Sequence, residues 1–192
     1  MTLSKESLSE MSWWRQDKVL CPGRSFRDVD TTILVKYDVT ACSDATPKRY
    51  GFRLFSRKFS SFLRAKSGTV PPLNTVLQNL NRTKMDEMAD DTSIGYAELF
   101  ALYMAVKDSP NGSRILVRVD NQGVVAGVMK GRFKSEKLNV LLGVLLDDME
   151  AGGKLLNTVW VDTATMERLG ADGLSRGRYV PEGYTIATDM QS

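Results

Sequence analysis

Arg114-Ile115-Leu116-Val117-Arg118-Val119-Asp120 is a short β-branched run that stops on a carboxylate, and Asn121-Gln122-Gly123 follows at once. Apolar side chains on both parities of the run indicate a strand buried on both faces. The following residues predict a helix to about residue 129. On the other side, residues 93–107 read as a helix, with Ile94, Leu99, Leu102, Tyr103 and Val106 at helical spacing and Ser109-Pro110-Asn111-Gly112 as the stop. Downstream come a basic connector (130–137), an apolar helix (138–151) ended by Gly152-Gly153, a strand (158–162) and a last short helix (166–176). Upstream, residues 32–43 and 50–56 predict two strands turned at Pro47, with strand character resuming around 59–64. Residues 68–81, with Pro71-Pro72, read as a loop or insertion. The order β-β-(β)-α-β-α-α-β-α predicts a mixed sheet with helices on its faces, an α/β architecture.

Composition narrows the function. A chain of 192 residues buries roughly 70% of its unfolded surface and needs no staples. Hydrophobic and charged fractions of 42% and 26% exclude a disordered, collagenous or coiled-coil chain. The longest apolar run, 140–146, is broken by Gly143 and is too short to span a bilayer, so no membrane partner is expected. Residues 1–10 are polar and show no secretory signal. Cys21 and Cys42 make neither a disulfide framework nor a zinc site, so an intracellular, reducing compartment (cytoplasm or nucleus) is expected. The chain has no histidine, which removes Ser-His-Asp and Cys-His catalysis, His-ligated metals and imidazole acid–base chemistry. The net charge of +3 is unevenly placed. Residues 45–85 hold nine bases and no acid, interleaved with Tyr50, Phe52, Phe55, Phe59 and Phe62. That mixture suits a polyanion with stacking bases, or a solvated strand pair with core phenylalanines.

Four acids fall where this architecture gathers strand ends and helix starts: Asp44, Glu98, Asp120 and Asp172. Each has an ordinary alternative, such as an N-cap for Asp120 or a solvated helix position for Asp172. Asp38 rivals Asp44, because it follows the more apolar Ile33-Leu34-Val35. Six residues put the two on one face of a straight strand but about 20 Å apart. Only one can therefore reach Glu98 and Asp120. Packed carboxylates repel one another and raise their own pKa values. Such a cluster is a poor structural device and a good cradle for a hard cation.

The flanks of these acids resemble those of retroelement-type ribonuclease H domains, as in DIRS-like retrotransposon and hepadnavirus polymerases. The similar segments are Asp44-Ala45-Thr46-Pro47 with Tyr50-Gly51-Phe52, Ala97-Glu98-Leu99, Val119-Asp120-Asn121, and Gly170-Ala171-Asp172-Gly173-Leu174-Ser175-Arg176. Ser12-Trp13-Trp14 with Pro22-Gly23-Arg24 resembles the connector that precedes such domains. The resemblance implies an RNase H-like mixed five-stranded sheet, its first three strands antiparallel and the rest parallel, flanked by helices. It places a leader or connector helix at 1–30, the domain at 31–177 with an elongated strand and loop region at 55–92, and a tail at 178–192. It implies a hydrolase, an endonuclease cleaving the RNA strand of RNA–DNA hybrids with two Mg²⁺ ions, Mn²⁺ serving as a substitute. Asp44 would bridge both ions, Glu98 and Asp120 would hold one, and Asp172 the other. Thr46 and Asn121 would touch sugars or phosphates, and Arg49, Arg53, Lys130, Arg132, Lys134 and Lys137 phosphates. A reverse transcriptase in the same polyprotein is the implied partner. The chain departs from the pattern in a long 55–92 region, in Gly170 where Asn is usual, and in having no histidine before the last helix. A noncatalytic module that keeps the fold to bind nucleic acid, or as a scaffold, is the alternative.

Overall fold

A computed structural model describes residues 37–56, 61–80 and 93–178. Strand β1 (Val39–Ala45) is buried along its whole length. It pairs antiparallel with β2 (Arg49–Ser56), which pairs antiparallel with β3 (Ser61–Thr69). β4 (Arg114–Val119) lies parallel to β1, and β5 (Leu155–Trp160) parallel to β4. The sheet runs β3-β2-β1-β4-β5, the five-stranded mixed arrangement expected. Alternate residues of β1 enter different cores, because a strand points successive side chains to opposite faces. Val39, Ala41 and Ala45 join the main core, while Cys42 packs with Met166, Leu169 and Ala171 on the other face. Burial pushes the Cys42 thiol up to about 12, so it serves as a small apolar filler.

The main core is built around helix α2 (Ile94–Lys107). Ser93 accepts a hydrogen bond from the Tyr96 amide and caps its start. Residues 96–103 of this helix are all buried, Glu98 among them. A helix apolar on nearly every side belongs inside a domain. α3 (Gln122–Lys130) and α4 (Glu136–Gly152) follow β4, and α5 (Thr163–Leu169) and α6 (Ala171–Ser175) follow β5.

Several boundaries differ from the sequence reading; the third strand, expected around 59–64, runs Ser61–Thr69. The first strand, expected over 32–43, runs Val39–Ala45, and residues 32–36 lie outside the described residues. The expected loop at 68–81 contains a helix, α1 (Leu73–Asn79), whose Leu73, Val76 and Leu77 enter the main core at i, i+3, i+4 spacing behind Pro72. The last strand starts at Leu155, because the parallel ladder holds Leu155 opposite Arg114. The single last helix is two, broken at Gly170, whose φ of 80° is left-handed. The connector at 1–30 with Trp13-Trp14, residues 81–92 and residues 179–192 lie outside the described residues.

The sheet register positions the acids. β1 and β4 are parallel with Cys42 opposite Arg118. Two residues further along each strand, Asp44 and Asp120 fall side by side at the carboxyl ends and on one face. Asp38 sits at the far end, where its carboxylate accepts from the Arg114 amide at 2.9 Å.

Candidate functional site

Asp44, Glu98 and Asp120 each present an oxygen within 4.8 Å of the others. Asp44 comes from β1, Asp120 directly follows β4, and Glu98 comes from α2, one turn after its start. Glu98 is 3% exposed. Its Oε1 accepts from the Ala45 amide at 3.2 Å, and its Oε2 is buried without a hydrogen-bond partner. Asp172, in the first turn of α6, lines the same pocket but is not one of the three. Its Oδ1 is held by Arg176 Nε at 2.7 Å. The pocket encloses about 500 Å³ and also touches Thr46, Asn121 and Thr163.

The electrostatics follow from this crowding. Burial, then the carboxylates of Asp44 and Asp120, push Glu98 up to about 9 against the pull of the Ala45 amide. Burial pushes Asp44 up to about 6; the Ser175 hydroxyl opposes it, and Asp120 and Asp172 add to it. Burial also raises Asp120, with Asp172 adding to it and the Thr163 hydroxyl opposing it. Buried carboxylates that repel one another and leave one oxygen unpaired suit a positive ion of high charge. The donor set is all oxygen, which fits a hard divalent cation.

The supports of the three acids were not predicted from the sequence. Ser175 is fully buried; its hydroxyl donates to Asp44 Oδ2 and lies 2.9 Å from the Asp172 carbonyl. Thr163 Oγ1 donates to Asp120 Oδ2 at 3.5 Å. Gly51 lies opposite Asp44 in the β1–β2 ladder. A Cβ there would stand 2.6 Å from the Ser175 amide and from Leu174 Cβ. Glycine therefore lets α6 close over the sheet and bring Ser175 and Asp172 to the site. The local motif Tyr50-Gly51 was visible; what its glycine touches was not. Asp120 is not the cap of α3: Asn121 is, its Oδ1 accepting from the Val124 amide at 3.1 Å. The Asp120 carboxylate is left to the site.

The residues expected to bind nucleic acid scatter. Thr46 and Asn121 line the pocket. Thr46 also closes the β1–β2 turn, accepting from the Arg49 amide at 3.1 Å. Arg49, Lys130, Arg132 and Lys134 are exposed, and Lys137 is half-buried with its ammonium 4.8 Å from the Tyr96 ring centre. Arg53 corrects the reading. It is 1% exposed, donates to the Leu169 carbonyl at 3.2 Å and packs its guanidinium carbon 5.3 and 5.4 Å from the Phe55 and Phe62 ring centres. A guanidinium locked under α5 cannot meet a phosphate. The basic stretch 45–85 is also not one free face, since Arg64 and Lys66 pair with Asp108 at 3.1 and 3.5 Å. Arg57, Lys58, Arg82 and Lys84 lie outside the described residues. Among the described residues no helix is long and apolar enough to cross a membrane.

This is a ribonuclease H-like fold with an acidic cluster at the carboxyl ends of its parallel strands. Among solved structures it is similar to LC11-RNase H1 in complex with an RNA/DNA hybrid, at 16% identity and a TM-score of 0.50 over 73% of this chain and 95% of that one. It is likewise similar to the LC11-RNase H1 isolated from compost, at 16% identity and a TM-score of 0.50 over 72% of this chain and 93% of that one. The N-terminal RNase H domain of a Mycobacterium tuberculosis protein matches at 18% identity with a TM-score of 0.48, over 74% and 93% of the two chains. No family model matches the chain. No curated protein matches it in sequence.

Proposed function

We propose that the chain is a divalent-metal-dependent ribonuclease H that hydrolyses the RNA strand of RNA–DNA hybrids. The observation behind this reading is the carboxylate triad at the ends of two parallel strands, with Glu98 Oε2 buried and unpartnered. Asp44, Glu98, Asp120 and Asp172 would hold two Mg²⁺ ions. Bound ions of this kind supply water activation and neutralise the charge that develops at a phosphodiester. The chain's other residues do simpler work. Ser175 fixes the Asp44 carboxylate and Thr163 that of Asp120. Thr46 and Asn121 form the pocket wall against which the 2′-hydroxyls and sugars of an RNA strand would lie. The exposed bases Lys130, Arg132 and Lys134 between α3 and α4 would meet backbone phosphates, as Arg49 would beside the β1–β2 turn. A retroelement origin, with a polymerase in the same polyprotein, is supported by the order of the four acid motifs and by the short β1–β2 turn after Asp44.

The test is cleavage of a labelled RNA–DNA hybrid beside double-stranded and branched DNA, with Mg²⁺ and with EDTA. Hybrid cleavage that requires Mg²⁺ is expected, and loss of it in Asp44→Asn, Glu98→Gln, Asp120→Asn and Asp172→Asn. Retained cleavage in any two of the four would sink the shared site. Cleavage of branched DNA alone would move the chain to a DNA-acting nuclease. Salt-dependent hybrid binding without cleavage would make it a noncatalytic binding module.

A further inference from the structure

Arg176 is the one lysine or arginine among the residues that line the acid pocket. It lies one helical turn after Asp172 and reaches back to it, Nε to Oδ1 at 2.7 Å. The pair is lopsided: the Asp172 side chain is 9% exposed and the Arg176 side chain 51%. The guanidinium therefore covers its carboxylate from the solvent side. Its charge also works against the rise at Asp44. A guanidinium does not shed its proton at any ordinary pH, so its charge leaves the site only if the side chain moves.

We propose that Arg176 is a tethered counter-ion for the acid site. It holds Asp172 while no divalent cation is bound, and competes with the cation for that carboxylate. The inference rests on the metal reading given above. Three carboxylates with raised pKa values and a fourth beside them make a site that repels itself. Among the pocket-lining residues Arg176 alone answers that charge with a full positive one. The ion pair is half in solvent, where such pairs hold weakly, so the arm is free to swing out when an ion arrives. The opposite role would be a fixed clamp that keeps Asp172 in a ligating pose and so tightens ion binding. The two roles predict opposite signs for one measurement, because removing the guanidinium helps a competing ion and harms a clamped one.

The measurement is Mn²⁺ titration of the full chain in low salt, with free ion read by electron paramagnetic resonance, beside thermal melts with and without Mn²⁺. Arg176→Gln is expected to bind Mn²⁺ about tenfold more tightly than the parent, the scale of the repulsion between a double and a single charge roughly 5 Å apart in water. Its metal-free melting temperature is expected to fall below the parent's, and saturating Mn²⁺ to close that gap. Arg176→Lys keeps the charge and is expected to bind Mn²⁺ as the parent does. In an Asp172→Asn background Arg176→Gln is expected to change the affinity far less. Equal or weaker Mn²⁺ binding by Arg176→Gln would overturn the inference alone. Failure of the parent itself to take up Mn²⁺ would overturn the metal reading and the inference together.

Discussion

Glu98, one turn into α2, and Lys154, whose ammonium meets the last carbonyls of that helix, are both buried ionisable groups, and the fold treats them differently. Lys154 is 5% exposed, and its ammonium donates to the Val106 carbonyl at 3.0 Å, the Lys107 carbonyl at 3.1 Å and Asp148 Oδ2 at 3.1 Å. It sits where the last carbonyls of α2 have no helical partner and the helix dipole is negative, so each of its three donors finds an acceptor. Glu98 is as deeply placed, one turn into α2, yet one oxygen has no hydrogen-bond partner and the charged groups that act on it are other acids. Each donor of Lys154 has an acceptor, whereas Glu98 keeps one buried oxygen without a hydrogen-bond partner.

The contrast can be broken at either end. Lys154→Met takes a donor from the Lys107 carbonyl and from Asp148, leaves the Val106 carbonyl to the Ser109 amide alone, and is expected to cost about 3 kcal/mol, roughly 10 °C in a domain of this size. Calorimetry would show it, and a loss under 1 kcal/mol would remove Lys154 from the comparison. Gly51→Ala drives a methyl group into the α6 backbone and is expected to cost about 2 kcal/mol by overpacking. It should also weaken Mn²⁺ uptake, since α6 brings Asp172 and Ser175. Unchanged uptake would show that α6 is not needed to complete the site.

Glu98→Gln goes the other way. The amide keeps an oxygen for the Ala45 N–H and needs no proton taken up on folding, so the metal-free protein is expected to gain about 1 kcal/mol at neutral pH, near 3 °C in Tm. The same group sets a pH dependence. Its pKa rises from 4.5 in the ordinary state to about 9 in the fold. Between those values the folded chain holds a proton that the unfolded chain has released, so stability falls as pH rises through that window. Metal-free melts from pH 5 to 9 should show the decline in the parent and a flatter profile in Glu98→Gln. A parent that gains stability with pH would contradict the raised value. The smallest effect is expected of Thr163→Val, which removes one long, exposed hydrogen bond to Asp120 and should move Tm by less than about 1 °C. A larger drop would make Thr163 a structural partner of Asp120.

What the sequence disclosed depended on range. Asp120 was legible because a buried strand ended on it, and Glu98 because it stood near a helix start in the Ala97-Glu98-Leu99 segment. The strand order was legible from the alternation of short β-branched runs with helices. α1 was not, since two prolines read as a break while the same stretch hid Leu73, Val76 and Leu77 at helical spacing. Arg53 was misread because a run of bases gives their number and not their direction; the β2 pleat turns this one inward, under α5. Ser175 and Gly51 carry no local signal of their task. One works on Asp44 from 131 residues away, and the other matters only because α6 lies against it.

That separation has a consequence for the making of the protein. At about 5–20 residues per second, the stretch from Asp44 to Ser175 takes on the order of ten seconds to synthesise. Through that interval a growing chain can form the β1–β2 hairpin, and later the β1–β4 pair, while lacking the serine and the acid that α6 delivers. The cluster is therefore finished last, by a five-residue helix that starts from the left-handed Gly170. A chain cut short before that glycine would carry all five strands of the sheet and an open, unbalanced set of acids. Completion of the domain and completion of the acid cluster are thus one event.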